Sequence, residues 1–244
     1  MHSWFSSVAT RSIHPLARRG APRRYGGRRA LPQVLAVLMV ACPPAFAQAQ
    51  PPLKIIAFGD SLTAGAGLPA GQSFPSVLQK KLQEAGYNVM VVNAGVSGDT
   101  SSGGLARLEW TLGEGADGII LELGANDMLR GINPEVTKRA LDTILAKLKS
   151  RGIQPLIAGM RANPSLGKEY QTQFDEMYPQ LAKKYNALLY PFFMEGVAGN
   201  LALQLPDRLH PNAAGVEHIV EGILPKVKTF IEQLSEQAAA KQKQ

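Results

Sequence analysis

Short apolar runs alternate along this chain with segments whose apolar residues recur at helical spacing, and this alternation constrains the fold most. Strands that are apolar on both faces suit a parallel sheet that helices cover on both sides. The pattern therefore predicts a single α/β domain built as a three-layer sandwich. The predicted strands are residues 53–58, 89–92, 118–123, 153–158 and 187–190.

The segments between these strands carry helix and loop signals. Asn133 and Pro134 are typical of a helix start, and Pro179 is expected to kink a helix over residues 170–185 or to begin a second one. Residues 59–71 are predicted to form a long glycine-rich loop. Three other helices are predicted. The first covers residues 75–85, the second is capped by Asp99 or Thr100 and reaches Leu112, and the last begins at Asn212.

The first 47 residues have the composition of an export signal. They hold seven arginines and no acidic residue, then an apolar run over residues 34–41, then Ala45-Phe46-Ala47. This order is typical of a cleavable signal peptide, and the run is shorter than the roughly 20 residues of a membrane span. We therefore predict cleavage after Ala47 and a periplasmic or secreted domain over residues 48–244, with lipidation of Cys42 as the alternative.

Composition beyond this leader narrows the function classes. Of the 26 basic side chains, 19 lie after residue 47, where they balance 19 acidic ones. No basic surface for DNA or RNA is therefore expected. Because Cys42 is the only cysteine, a cysteine nucleophile, disulfides and thiolate metal sites are excluded from the predicted domain.

Ser61 is the candidate nucleophile. It follows an apolar run and the turn residue Gly59, and α/β proteins bind ligands at the carboxyl ends of parallel strands. A serine needs a base that accepts its proton, and the chain beyond the leader offers only His210 and His218. His218 lies off the apolar stripe of the last predicted helix, so it is expected to be an exposed helical residue.

His210 is therefore the candidate base, with Asp207 as its partner. A carboxylate three residues before a histidine can fix the imidazole tautomer and stabilise the imidazolium. The Asp-x-x-His pattern is weak by itself because it arises often by chance. Here it gains strength from the shortage of other histidines and from the serine at a predicted strand end.

An oxyanion hole needs several hydrogen-bond donors that converge on one point. The predicted donors are the backbone N–H of Ser61, the backbone N–H of Gly95 after the second strand, and the side-chain amide of Asn126 after the third. The alternative for Gly95 and for Asn126 is that each is only a turn residue.

Four motifs in this order resemble the SGNH (GDSL) hydrolase family, whose serine, glycine, asparagine and histidine match Ser61, Gly95, Asn126 and His210. The resemblance covers residues 53–230. Further segments (residues 96–100, 104–108, 129–131 and 191–195) resemble a subgroup of bacterial periplasmic enzymes with acyl-CoA thioesterase, lysophospholipase and arylesterase activities. The four motifs are Gly59-Asp60-Ser61-Leu62, Gly95, Gly124-Ala125-Asn126-Asp127 and Asp207-Arg208-Leu209-His210.

This resemblance implies a flavodoxin-like fold with a five-stranded parallel sheet and no cofactor or metal. It implies a serine esterase or thioesterase that cleaves small acyl esters through an acyl-serine intermediate. It also implies a flexible loop over residues 97–105 that closes over acyl chains. Asp60 and Asp127 are expected to be scaffolding. The expected protein is a monomer without a transmembrane segment, and its contact with a lipid surface is transient.

Two other functions remain open at this point. A carbohydrate O-deacetylase of the same family would use the same mechanism with a different pocket. A nucleotide-binding module would use the glycines after the first strand to hold phosphate. However, Gly65 and Gly67 are followed by Pro69 rather than by the third glycine of the dinucleotide motif, and the second strand ends in Asn93 rather than in an acidic residue.

Overall fold

The apolar runs pair into one parallel sheet in a computed structural model of the chain, which describes residues 51–113 and 115–241. The predicted leader, with its cleavage site and Cys42, lies outside the described residues. The strand order is β2-β1-β3-β4-β5, so the predicted flavodoxin-like arrangement is confirmed. The strands are β1 (Leu53–Gly59), β2 (Val89–Gly95), β3 (Gly118–Glu122), β4 (Gln154–Ala158) and β5 (Leu188–Tyr190).

Seven α-helices in the described part of the chain complete the three layers. Helix α2 packs against α7, while α3, α5 and α6 pack side by side. Two 3₁₀ turns, Ala70–Gln72 and Pro164–Leu166, lie in the connections. The helices are α1 (Ser61–Ala64), α2 (Phe74–Glu84), α3 (Ser101–Leu112), α4 (Ala125–Leu129), α5 (Pro134–Ser150), α6 (Lys168–Tyr185) and α7 (Ala213–Lys241).

The core lies between the sheet and both helix layers. Consecutive residues of β1 point to opposite faces, yet residues 55–58 are all 0–1% exposed because helices cover both faces. Each fully buried aliphatic or aromatic side chain stabilises the fold by about 1.5–3 kcal/mol. None of the described helices has the length and apolar character that crossing a membrane requires.

Side-chain caps fix where the helices begin. Asn133 caps α5 by accepting the N–H of Glu135 at 2.9 Å, with Pro134 in the first turn. Thr100, rather than Asp99, caps α3 by accepting the N–H of Gly103 at 3.2 Å. An N-cap bond of this kind contributes about 1 kcal/mol.

The structure differs from the sequence predictions mainly in short helices. The predicted loop at residues 59–71 contains α1 and a 3₁₀ turn, and the predicted turn at residues 124–127 runs into α4. Helices of four or five residues are too short to show a 3.6-residue pattern. Helix α6 runs unbroken through Pro179, and the predicted flexible loop at residues 97–105 is helical from Ser101 onward.

One edge of the sheet gathers the ends of the central strands. Gly59 at the end of β1 is level with Gly95 of β2 and with Glu122 of β3. The chain leaves β1 toward β2 on one side and later returns to β3 on the other, so the strand order reverses here. Open α/β sheets bind ligands at such a reversal.

Candidate active site

Ser61 is the first residue of α1, at the carboxyl end of β1. The preceding residue, Asp60, caps this short helix because its Oδ1 accepts the N–H of Leu62 at 2.9 Å. Gly65 ends the helix in the left-handed conformation, with φ of +82°, which favours glycine. Ser61 is therefore held on a capped helical turn rather than on a loose loop.

His210 approaches Ser61 from a segment 149 residues away. Its Nε2 lies 2.9 Å from Ser61 Oγ, and its Nδ1 lies 2.7 Å from Asp207 Oδ2. The second carboxylate oxygen of Asp207 accepts the N–H groups of His210 at 3.0 Å and Leu209 at 2.9 Å. The N–H and imidazole of His210, followed by the N–H of Leu209, lower the pKa of Asp207 to about 2.

The turn that joins Asp207 to His210 is itself strained. Arg208 has a φ of +58°, which L-residues other than Asn and Asp adopt infrequently. The carbonyl of Arg208 accepts a hydrogen bond from Gln204 Nε2 at 3.0 Å, and the N–H of Arg208 donates to the carbonyl of Leu205 at 2.9 Å. The surrounding segment therefore holds the turn that orients the acid toward the base.

Asn126 lies near the start of α4, and it lines the same cavity as Ser61 and His210. One N–H of its side-chain amide donates to Asp60 Oδ2 at 3.0 Å, which leaves the second N–H for a ligand. Burial raises the pKa of Asp60 to about 6, although the N–H of Leu62 and the amide of Asn126 act in the opposite direction. Asp60 thus serves as scaffolding for both predicted site segments.

Gly95 is not brought to the site, which corrects one predicted oxyanion donor. Its N–H donates to Asn93 Oδ1 at 3.0 Å, and it does not line the cavity beside Ser61. A Cβ at this position would lie 2.2 Å from the backbone N of Ala64. Gly95 is therefore a packing glycine that lets β2 approach α1.

Gly98, rather than Gly95, is the glycine of this segment that reaches the cavity. It lines the cavity with Ser61 and Asn126, has a φ of +84°, and its N–H donates to no other described residue. Arg130 donates to its carbonyl at 2.8 Å. The segment Ser97-Gly98-Asp99 contains this glycine, but Gly95 lies nearer to the apolar run at residues 89–92 and was therefore the predicted donor.

Two charged residues that were not predicted as site residues tie α3 to the end of β1. The guanidinium of Arg107 bonds to Asp99 Oδ2 and donates to the carbonyl of Gly59 at 2.9 Å. It also lies 4.1 Å from the centre of the Phe58 ring. Asp99 and Arg107 are eight residues apart and on either side of a helix start, so no helical pattern connects them.

Asp127 anchors the neighbouring segment, as predicted for scaffolding. It is fully buried, and its carboxylate accepts the N–H of Ser101 at 2.7 Å, the hydroxyl of Ser101 at 2.6 Å and the hydroxyl of Thr137 at 3.0 Å. Three helices, α3, α4 and α5, are thereby fixed to one carboxylate next to Asn126.

A cavity of about 660 Å³ opens beside Ser61 and His210, a size within the range of small-molecule sites. Most of its wall is apolar, so it suits an acyl chain. Asp60 is its only acidic lining residue and is buried, whereas Arg161 and Arg208 are exposed. The apolar wall includes Leu62, Met128, Leu129, Met160, Ala162 and Phe192.

His218, the other histidine beyond the predicted leader, lies outside the site. It is exposed on α7, as predicted, and does not line the cavity. Within residues 51–113 and 115–241, no three His, Cys, Asp or Glu side chains are grouped as ligands for a metal ion.

The sequence matches the family described as GDSL-like Lipase/Acylhydrolase over residues 57–218. It is 36% identical over 178 residues to Esterase TesA of Pseudomonas aeruginosa, with 72% of this chain and 89% of the relative covered. It is 37% identical over 190 residues to an arylesterase of Vibrio mimicus, with 78% and 94% covered. A protein of Escherichia coli K12 named Thioesterase 1/protease 1/lysophospholipase L1 is 35% identical over 178 residues, with 72% and 84% covered.

A solved structure of an esterase is also similar to this chain. The crystal structure of AlinE4, an esterase of the SGNH-hydrolase family, superimposes with a TM-score of 0.64 at 44% identity. The match covers 74% of this chain and 97% of AlinE4.

Proposed function

This chain belongs to the GDSL-like lipase/acylhydrolase family and is an ester hydrolase of the SGNH class, and from that premise we propose that Ser61 is its nucleophile, forming an acyl-serine intermediate. The observation that carries the proposal is the hydrogen-bonded chain from Ser61 Oγ through His210 to Asp207, with distances of 2.9 and 2.7 Å. Ser61 and His210 both line the apolar cavity.

In the proposed mechanism, His210 Nε2 accepts the proton of Ser61 Oγ as that oxygen attacks the acyl carbonyl. Asp207 stays ionised, holds the N–H on Nδ1 and stabilises the imidazolium. The imidazolium then protonates the leaving alcohol or thiol. Water attacks the acyl-serine by the same route, with His210 as the base, and releases the free acid.

The proposed oxyanion donors are the N–H groups of Ser61 and Gly98 and the side-chain amide of Asn126. All three residues line the cavity. Gly98 replaces Gly95 in this proposal because the N–H of Gly95 is bonded to Asn93. Losing one donor of this kind typically lowers the rate by about 10²–10³-fold.

Replacing the nucleophile tests the proposal. We expect Ser61→Ala to lower kcat for a chromogenic aryl ester by about 10⁴-fold or more, with an unchanged circular dichroism spectrum and melting temperature. Substantial hydrolysis by the folded variant would overturn the assignment of Ser61.

The proposed substrates are aryl esters, acyl thioesters and lysophospholipids, because the names of the relatives include arylesterase, thioesterase and lysophospholipase. A carbohydrate O-deacetylase is the alternative, and a nucleotide-binding module is a distant one. The purified protein should be assayed with aryl esters, acyl-CoA, lysophospholipid and acetylated sugars. Activity confined to acetylated sugars would contradict the first choice.

Exposed side chains near the cavity support transient contact with a lipid surface. Leu129 and Leu209 line the cavity and are 53% and 42% exposed, and each is next to an exposed arginine, Arg130 and Arg208. Apolar and basic residues together suit an anionic membrane surface. A lack of sedimentation with either kind of vesicle would contradict this contact, and equal sedimentation with anionic and zwitterionic lipid would contradict the contribution of the arginines.

We also propose that residues 1–47 are an export signal and that the mature enzyme is a monomer acting in the periplasm or outside the cell. The basic and apolar segments before Ala45-Phe46-Ala47 support cleavage after Ala47. The N-terminal sequence and the native mass of the enzyme from a cell-envelope fraction test this; a retained leader or a dimeric mass would contradict it.

A further inference from the structure

Glu122, the last residue of β3, is a fully buried carboxyl directly beneath the nucleophile turn. Its Oε2 accepts the hydroxyl of Thr63 at 2.7 Å and the backbone N–H of Asp60 at 3.3 Å. These partners lie on either side of Ser61 in the chain. The other oxygen, Oε1, has no hydrogen-bond partner within residues 51–113 and 115–241.

The strand next to Glu122 is shaped to admit this carboxyl. Gly59 of β1 is level with Glu122, and a Cβ on Gly59 would lie 2.4 Å from Glu122 Oε2 and 2.2 Å from Thr63 Oγ1. Real Cβ atoms do not approach other atoms so closely. The carboxyl of Glu122 therefore fits here because Gly59 has no side chain. Gly59 directly precedes the turn that carries Ser61, and Glu122 bonds to that turn.

Asp60 and Glu122 are buried side by side beneath the turn, where one negative charge is more stable than two. Asp60 is the better place for that charge, since its oxygens accept the N–H of Leu62 and the amide of Asn126. Burial, and then the nearby charge of Asp60, raise the pKa of Glu122 well above its usual value, although its bonds from Thr63 and from the N–H of Asp60 act in the opposite direction.

Two further ionisable groups lie around the turn. The Arg107 guanidinium bonds to the carbonyl of Gly59 but is itself paired with Asp99. The phenol of Tyr178 donates to the carbonyl of Leu123 at 3.0 Å, and burial raises its pKa well above the usual range. No cation bonds to Glu122 among the described residues, so only the hydroxyl of Thr63 and the N–H of Asp60 would offset a negative charge there.

We propose that Glu122 is a positioning residue, a neutral acid that holds the turn of Asp60 to Thr63 so that Ser61 Oγ stays in line with His210. The inference rests on the proposed role of Ser61. A residue that only filled the core would be replaceable by an apolar side chain of similar size. A positioning residue needs the acceptor oxygen, which glutamine keeps and leucine lacks.

The test compares Glu122→Gln with Glu122→Leu in the full chain, using a chromogenic aryl ester. We expect the glutamine variant to keep kcat within about 3-fold and the leucine variant to lose about 10-fold or more in kcat with KM changed less than 3-fold, since an interaction that acts on the reacting geometry affects kcat. Equal kcat in the leucine variant and the unaltered enzyme would overturn the proposal. A glutamine variant as impaired as the leucine variant would overturn the neutral state of Glu122.

A second variant covers the case in which the leucine variant does not fold. Thr63→Val removes one of the two contacts of Glu122, and Thr137→Val is its matched control because it also removes a buried hydroxyl that bonds to a carboxylate. We expect similar decreases in melting temperature, with a kcat loss several-fold larger for Thr63→Val. Equal kcat losses would overturn the proposal.

The pH profile gives a readout that a purely structural role would not affect. If Glu122 is neutral, the acid limbs of kcat/KM for Glu122→Gln and for the unaltered enzyme should superimpose. A shift of that limb to lower pH in the glutamine variant would show a charge next to Asp60 and would overturn the proposal. Ser61→Ala is measured alongside: its activity tests the proposed function, whereas the variants of Glu122 and Thr63 test only this inference.

Discussion

At the residue scale, the site is organised by three carboxyl groups in two different environments. Asp207 is half exposed and receives two backbone N–H groups, so its pKa is low and it stays ionised at neutral pH. Asp60 and Glu122 are buried next to each other, and burial raises the pKa of both. The same functional group therefore serves as a partner of the base in one place and as scaffolding in the other two.

The buried state of Asp60 predicts a pH dependence of stability. Its pKa is about 6 in the folded protein and about 3.9 in an unfolded chain. Between these values the folded state binds more protons, so this contribution is full below about pH 4 and is lost as the pH rises through about 6.

The measurement compares Glu122→Gln with the double variant Glu122→Gln/Asp60→Asn, so that no second buried carboxyl titrates. We expect the free energy of unfolding of the single variant, relative to the double variant, to fall by up to about 3 kcal/mol between pH 4 and pH 7. Urea denaturation at several pH values checks this. A difference that stays constant over that range would contradict the raised pKa of Asp60.

At the element scale, a few polar side chains join the starts of three helices and the end of β1. Asp127 holds α3 and α5, while Arg107 joins α3 to the end of β1. Because these bonds fix the ends of rigid elements, the segments that carry Ser61, Gly98 and Asn126 meet at one point. In the segment at residues 97–105, the helix begins at Ser101, whose N–H and hydroxyl Asp127 accepts.

The two glycines after β2 should respond differently to substitution. A Cβ at Gly95 would collide with the backbone of Ala64, whereas a Cβ at Gly98 would meet only Arg130 at 3.8 Å. We expect Gly95→Ala to lower the melting temperature markedly. Gly98→Ala costs about 1–2 kcal/mol of left-handed backbone strain, so we expect a smaller stability loss and a kcat loss of about 10-fold or more.

Thermal unfolding and aryl-ester kinetics on both variants separate these effects. Preserved stability of Gly95→Ala would contradict its packing role. Full activity of Gly98→Ala would contradict the expectation that the left-handed turn at Gly98 is needed to present its N–H to the cavity.

At the scale of the whole molecule, the apolar cavity sets which acyl groups fit. It is bounded by segments that follow all five strands, so its shape depends on the assembly of the entire sheet. Ala162 is buried in its wall after β4. A larger side chain there would fill space that a long acyl chain would otherwise occupy.

We therefore expect Ala162→Phe to lower kcat/KM for a twelve-carbon acyl ester by about 10-fold or more, which corresponds to a few lost methylene contacts. The same variant should keep activity on an acetyl ester within about 3-fold, and this assay is the control. Parallel losses on both esters would contradict the assignment of this wall to the acyl chain.

The sequence by itself determined the fold class and most of the candidate site. Strand runs that are apolar throughout require cover on both faces, which specifies a parallel sheet in three layers. Ser61 and Asn126 each lie three residues after such a run, and His210 with Asp207 stood out because the chain beyond the leader has so few histidines.

Only the tertiary structure decided which glycine faces the cavity and what lies beneath the nucleophile. Gly95 and Gly98 are three residues apart, and which N–H remains available depends on Asn93 and on the contact with α1. Glu122 is the one acidic residue of the apolar run at residues 118–123, and its partners Asp60 and Thr63 are about 60 residues away in the chain. Such contacts depend on strand register and on close packing at the sheet edge, and local sequence patterns carry neither.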